Sequence, residues 1–394
     1  MRVAIVTTGL LDSLLPLAKY LSKKVSLDIY VSLYGQKYVE SVGVFDLSGL
    51  QEGMNSEEQS ARVLGPELQQ YIKESKGRIR LKLFKYPNLK IFNRRNFQLH
   101  RQFARELNRE QYDVVHLNGY RGAQMFLYGF LKRSVAKVWT VHDPILHSGE
   151  DKWQTRLAYR SYRFLKAHFI LHNKQQMPLF IQKYKVKPSR CHFVAFGPLE
   201  IFKAFKKGEP KARQDKMVLF WGRISPYKGV EYLIEAGKIA KQKVQGLKIV
   251  IAGKPNYHLD TSAIEQDPTF EHINGFVENP QLVDLLEQSA LVVCPYTDAT
   301  QSGVLMTAYA FNKPVLATAV GGLPEVIEEG RTGRLVPPKD SQALADAIVE
   351  MIENPTELKN MSRNIEALSQ DGRFSWDTIA QETLEVYQQA IKEK

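Results

Sequence analysis

Arg223 and Lys228, five residues apart in the run WGRISPYKGV (221–230), are the side chains of this sequence best placed for chemistry. An apolar run, MVLFWG (217–222), ends at Gly222 just before them, and Gly229 opens a helical pattern just after. A strand end that hands an arginine and a lysine to a helix start suits a diphosphate. Arg offers a planar fork, Lys a point charge, and the helix start free N–H groups. The plain alternative is a solvated basic loop, against which stands the uncharged strand that delivers both cations to a sheet edge. A second candidate follows the run ending at Tyr296. In DATQSGVLMTAYAFNKPVLAT (298–318), Ser302 is placed to cap a helix and Gly303 to let a ligand approach the backbone. The N–H groups of Gly303 and Val304 could then face an anion. A well-capped crossover helix with no ligand fits the same residues.

Two weaker signals lie in the first half. VAIVTTGLLDSLLPLAKYL (3–21) reads as strand, glycine turn at Gly9 and helix, with the turn facing phosphate. TVHDP (140–144) puts His142 at a strand end beside Asp143, although a lone histidine there is more often structural. His116, His168, His172 and His192 also fall on strands and are read as core or edge residues. VGGLPEVI (320–327) and GRTGRLVPP (330–338) join turns to a short strand and specify nothing alone. Walker A, G-x-G-x-x-G, G-x-S-x-G, H-E-x-x-H and Cys-x-x-Cys motifs are absent. So is any Asp-x-Asp to hold a divalent metal on a diphosphate, and no metal or other cofactor is expected.

The elements that must position these residues alternate. Apolar, β-branched runs occur at 3–8, 26–33, 78–84, 113–118, 137–142, 168–172 and 191–196. They resume at 217–222, 248–253, 272–277, 291–296, 314–319 and 333–338, with helical patterns such as 229–243 and 341–353 between them. That alternation predicts βαβ units and parallel sheets. The stretch 197–216, rich in Lys, Gly and Pro, interrupts it. The expected organisation is a first Rossmann-like domain at 1–200, a second at 201–372, and a closing helix at 373–394. Two doubly wound α/β domains would face each other, with ligand in an interdomain cleft at the carboxyl ends of the strands.

With 394 residues, 44% hydrophobic and 24% charged, the chain is long enough for two cores and is not a disordered sequence. Cys191 and Cys294 cannot build a disulfide framework, which suits a reducing compartment. The N-terminal apolar run is broken by Thr7, Thr8 and Gly9 and shows no cleavage site, so a cytoplasmic protein is expected. Charge is uneven. Residues 1–200 carry 32 Lys+Arg against 16 Asp+Glu, and residues 201–394 carry 22 against 26. Residues 73–109 hold 12 Lys+Arg and only Glu74 and Glu106 as acids. Further on, Lys152, Arg156, Arg160, Arg163 and Lys166 recur at helical spacing among aromatics. These features point to an anionic membrane surface as a partner, with a solvated helix in a basic protein as the plain alternative. No nucleic-acid module is present, and nucleic acid is not an expected partner.

The order and spacing of these segments resemble the family-4 retaining glycosyltransferases of GT-B fold, particularly those of bacterial polysaccharide biosynthesis. The likeness is strongest over 217–340, where GRISPYKG, IAG (251–253), GFV (275–277), VVCPY (292–296), FNKPVLAT, GGLPEVI and GRTGRLVPP follow in the family's order. The resemblance implies that Arg223 and Lys228 hold a donor diphosphate and that Phe276 and Val277 lie near its base. It implies that His142 contacts the donor sugar. Gly9 and Leu10 stand where the family has a glycine pair, and Gly222, Gly253, Gln301, Ser302, Gly303, Val304 and Thr307 complete the implied donor site. Two family glutamates are missing, replaced by Ala299 and Thr307, with Asp298, Gln301 and Ser302 as the nearest polar substitutes. The implied activity is metal-independent, retaining transfer of a hexose from a nucleotide-sugar, UDP-glucose first, to a glycan or lipid-linked acceptor. A nucleotide-sugar 2-epimerase, an inverting transferase, or nucleotide binding without turnover are the competing readings.

Overall fold

The structure, a computed structural model, describes residues 1–75, 78–88, 93–119, 124–144 and 165–394. The chain divides into two compact units: Met1–Gly197 together with Trp376–Lys394, and Pro198–Ser375. The terminal helix, set apart as a closing piece in the sequence reading, is therefore part of the first unit. Its buried residues Trp376, Ile379, Ala380, Thr383, Val386, Tyr387 and Ala390 recur at helical spacing along one face. Tyr387 bonds to His116 Nδ1 at 2.7 Å, and Trp376 comes so close to Gly197 that a Cβ there would lie 2.6 Å from its ring.

Among the described residues the first unit holds an eight-stranded sheet, ordered β10-β9-β8-β7-β1-β2-β6-β5. These strands are β1 (Arg2–Thr7), β2 (Ser26–Tyr34), β5 (Gly53–Met54), β6 (Ile79–Tyr86), β7 (Val114–Asn118), β8 (Ala136–Val141), β9 (Ala167–Leu171) and β10 (Cys191–Phe193). β3 (Lys37–Glu40) and β4 (Gly43–Asp46) form a separate antiparallel hairpin. The second unit has six parallel strands, ordered β13-β12-β11-β14-β15-β16. They are β11 (Met217–Trp221), β12 (Lys248–Ala252), β13 (Phe270–Ile273), β14 (Leu291–Cys294), β15 (Val315–Thr318) and β16 (Gly333–Val336). Central strands such as β7, β9 and β14 are buried at every position, as expected for parallel strands covered on both faces. In each unit the winding reverses beside the first strand, between β1 and β7 and between β11 and β14. Such reversals splay the following loops apart and open a crevice for ligand.

Each strand run read from the sequence contains a strand, usually ending a residue or two early. The exception is 272–277, where the strand is Phe270–Ile273 and residues 274–278 form an irregular loop. The hairpin and β5 were not expected. Only Tyr38 and Phe45 of the hairpin's interior face are buried, while its cross-strand pair Val39 and Val44 is 62% and 54% exposed. So brief an alternation, set among polar residues, carries little signal. Among the described residues no helix is long and apolar enough to cross a membrane.

Candidate functional site

The reversal in the second unit is built on glycines. β11 leaves the sheet through Gly222, whose φ of 111° is accessible to glycine, and Gly222 N donates to Ala252 O at 2.9 Å. Gly253 abuts that turn so tightly that a Cβ would lie 1.9 Å from Gly222 O. Residues Pro226–Lys228 make one 3-10 turn, closed by Gly229 at φ 62°. A Cβ on Gly229 would lie 2.1 Å from Pro295 O, and Thr297 N donates to Tyr227 O at 2.8 Å. The turn after β11 is thereby pressed onto the chain leaving β14.

This packing sets the two cations in different surroundings. Arg223 is exposed. Lys228 is partly buried, its Nζ 3.8 Å from the Tyr296 ring centroid and 5.3 Å from that of Tyr227. Burial is the main cause that pulls the Lys228 pKa down to about 8; Arg223 adds to it and Cys294 opposes it. Neither cation has an anionic partner among the described residues. Two buried polar groups of the same turn, Trp221 Nε1 and Ser225 Oγ, also have none. A fold that desolvates an ammonium beside an unpaired guanidinium has prepared a place for an anion.

The second loop meets this turn. A Cβ on Gly222 would touch Val304 Cγ2 at 3.5 Å, so the helix Gly303–Ala310 begins beside it. Ser302 caps that helix, its Oγ accepting from Leu305 N at 3.2 Å, and Tyr296 Oη lies 3.2 Å from the same oxygen. Gly303 is exposed, Gln301 partly buried and Val304 buried. Phe276 and Val277 lie in the loop after β13, not on a strand, and the Phe276 ring is 56% exposed.

Thr307 requires a correction. It is fully buried, so its oxygen is not open to accept from a ribose, and its hydroxyl donates to Gly303 O at 2.8 Å within its own helix. Ala299, at the other lost carboxylate, is also buried, and its carbonyl lies 1.6 Å from where a Cβ on Gly321 would stand. The space around both positions is filled by protein. Lys313, from which these positions are counted, donates to Glu287 O at 2.9 Å and Ser289 O at 2.7 Å, tying down the end of the helix Asn279–Gln288.

In the first unit, Thr8–Leu10, Tyr38–Glu40, Gly119 and Val141–Asp143 line a pocket at the β1/β7 reversal. Glu40, missed in the sequence because its hairpin was missed, accepts a hydrogen bond from Leu11 N at 3.0 Å. Its carboxylate thus occupies the helix start that the sequence reading assigned to phosphate. A Cβ on Gly9 would lie 2.6 Å from Tyr38 Oη and 2.8 Å from Glu40 Oε1, so the hairpin closes on a turn only glycine permits. Leu10 follows at φ 61° and is partly exposed. His142 borders the pocket and bonds through Nε2 to Asn118 Oδ1 at 3.0 Å. Burial above all, then His172 and His116, holds its pKa well below the usual histidine value. His142 is therefore neutral near pH 7, suited to orient a hydroxyl and not to deliver a proton.

The other strand histidines are engaged inside the unit. His116 bonds to Tyr387 and Thr140, each at 2.7 Å, and His172 Nδ1 donates to Val194 O at 2.7 Å. His168 Nδ1 and His192 Nε2 are 2.9 Å apart. Among the described residues no group of three or more His, Cys, Asp or Glu is placed to hold a metal ion.

Comparison with known proteins places both halves. Residues 54–197 match the model described as Glycosyltransferase Family 4, and residues 215–354 match that described as Glycosyl transferases group 1. The chain is 26% identical over 303 residues to an MMP alpha-(1->4)-mannosyltransferase of Mycolicibacterium hassiacum, covering 72% of each chain. It is 28% identical over 307 residues to a D-inositol 3-phosphate glycosyltransferase of Catenulispora acidiphila, covering 71% of this chain and 73% of that one. Among solved structures, Anabaena HepE in complex with UDP superposes with a TM-score of 0.68 at 18% identity, covering 99% of this chain and 100% of HepE. Sucrose-phosphate synthase of Thermosynechococcus elongatus gives 0.65 at 15% identity, with both chains fully covered.

Proposed function

We propose that this chain, whose two halves match glycosyltransferase family models, is a retaining, metal-independent hexosyltransferase that uses a UDP-sugar, UDP-glucose first. The observation that carries this reading is the pair Arg223 and Lys228, unpaired cations at the β11/β14 reversal, one of them desolvated. Structures of HepE with UDP and with UDP-glucose support the choice of donor.

In this reading Arg223, Lys228 and the helix start at Gly303 bind the diphosphate and neutralise the charge that grows on it as the glycosidic bond breaks. Phe276 covers the base, and Gln301 and Ser302 face the sugar side of the diphosphate. With Thr307 committed to its own helix, ribose recognition falls to other groups of these loops. The first unit's own pocket, bordered by His142, is suited to take hydroxyl groups of a sugar. The acceptor hydroxyl attacks the face the nucleotide leaves and passes its proton to a phosphate oxygen. A glycan or lipid-linked sugar is the proposed acceptor, and the basic first half would hold the protein against an anionic membrane.

A thermal-shift series with UDP-, GDP- and ADP-sugars tests the donor and the metal together. UDP-glucose should raise the melting temperature, and by the same amount when EDTA is present. A shift that disappears on chelation, or that only GDP- or ADP-sugars produce, would overturn this assignment.

A further inference from the structure

We propose that the exposed face of the helix Arg94–Arg109 is a docking surface for an anionic lipid bilayer. The inference rests on the proposed lipid-linked acceptor and adds to it the surface that would bring the protein to that substrate.

The helix is firmly built from within. Asn93 caps it, Oδ1 accepting from Arg95 N at 2.8 Å and Asn96 N at 3.3 Å. Leu99, His100, Phe103, Ala104 and Leu107 are buried on its inner side. At 100° per residue, Arg94, Arg101, Arg105 and Arg109 fall within an arc of about 80° on the outer side, along a stripe about 22 Å long. All four are exposed, and none has a carboxylate partner among the described residues. Neighbouring cations are spent differently. Arg80 forms a two-pronged pair with Asp28, Arg95 pairs with Glu52, and Lys85 donates to Leu47 O and Leu50 O.

The stripe opposes what helix stability alone would select. Arg94 stands in the first turn, where the helix dipole disfavours a cation, and that turn contains no acid. Arg101 with Arg105, and Arg105 with Arg109, are like charges four residues apart, which repel along a helix. Beside the stripe Phe97 is 42% exposed and meets Phe126 and Phe130 edge-on, at centroid distances of 5.9 and 5.3 Å. A straight row of unpaired arginines bordered by an aromatic ledge matches the chemistry of a lipid interface: phosphate headgroups for the guanidiniums, the acyl boundary for the rings. Of the cationic face expected over residues 152–166, positions 152–164 lie outside the described residues, and the docking surface stands without it.

The test is vesicle co-sedimentation of the full chain, comparing phosphatidylcholine with the same lipid containing one third phosphatidylglycerol. Wild type should pellet with the anionic vesicles only and be released as salt rises. The triple variant Arg94→Glu, Arg101→Glu, Arg105→Glu should lose at least about tenfold in partitioning, with its melting temperature and UDP-glucose shift retained. A control of equal charge change in the second unit, Lys339→Glu, Lys359→Glu, Arg363→Glu, should bind like wild type. Phe97→Ser should weaken binding without altering its salt dependence. The proposal is overturned if the triple variant binds no worse than the control, if neutral vesicles serve equally, or if duplex DNA competes the protein off anionic vesicles. None of those outcomes bears on donor binding, so the transferase reading would survive them. Loss of the UDP-glucose shift in the wild type would overturn the transferase reading alone.

Discussion

Replacing Lys228 with methionine is expected to raise the melting temperature while lowering kcat/KM by about 10²-fold or more. The two effects share a cause. Withdrawing this ammonium from water lowers its pKa from the ordinary 10.5 to about 8. A shift of that size corresponds to roughly 3 kcal/mol against the charged form at neutral pH. Contact with the Tyr296 face, at 3.8 Å, returns about 2 kcal/mol of that. Methionine fills the same space, keeps a favourable sulfur–ring contact and needs no counter-ion. The variant should therefore melt higher, by about 2–4 °C per kcal/mol gained in a unit of this size.

The pH dependence follows with a defined sign. Between about pH 8 and 10.5 the unfolded chain binds the lysine proton more readily than the folded one, so wild-type stability from this group rises over that interval. The gap between variant and wild type should be full below pH 8 and narrow above it. Donor binding runs the other way: in the free enzyme it should weaken as pH rises past about 8 and the ammonium is lost. A variant that melts lower than wild type and still turns over would mean that Lys228 is a packing residue.

A methyl group placed at Gly253 should damage the same site from behind. Its Cβ would lie 1.9 Å from Gly222 O, and the strand end beneath it cannot move away cheaply. Gly253→Ala should cost about 2–3 kcal/mol through overpacking. It should also push the turn carrying Arg223 out of place, weakening UDP binding about tenfold or more, equivalent to 1.4 kcal/mol. Gly275→Ala is the matched control, because nothing lies within 4 Å of its added Cβ, and it should stay within about 0.5 kcal/mol of wild type. Chemical denaturation and UDP titration of both variants decide the matter. Equal behaviour would show that the β12 end does not support the site.

These expectations could be framed because much of the architecture is written in local sequence. Parallel strands covered on both faces are rich in apolar residues, so β11 and β14 stand out as unbroken runs. Glycines at the ends of elements mark where the backbone turns or is crowded, as at Gly222 and Gly253 after strands and Gly229 before a helix. Contacts assembled over long separations were not legible. The ring above Lys228 belongs to Tyr296, on a different loop. Glu40 reaches the start of the first helix from a hairpin too short to leave a pattern, and Asn118 meets His142 only through strand pairing. Thr307 could be counted into the place of a missing carboxylate, but the count could not show that its hydroxyl turns back on its own helix. The first unit's main segment ends at Gly197, where the Lys-, Gly- and Pro-rich stretch 197–216 begins. The return of the terminal helix to the first unit depends on Tyr387 meeting His116, which no local pattern reveals.

The central claim is retention at a donor held by Arg223 and Lys228, and the slow hydrolysis of UDP-glucose without acceptor tests it most directly. Proton NMR of the sugar released, read before mutarotation equilibrates it, distinguishes the two stereochemical courses. α-Glucose should appear first, unaffected by EDTA and suppressed in Arg223→Ala and Lys228→Met. First appearance of β-glucose, or α-glucose released equally by both variants, would contradict it.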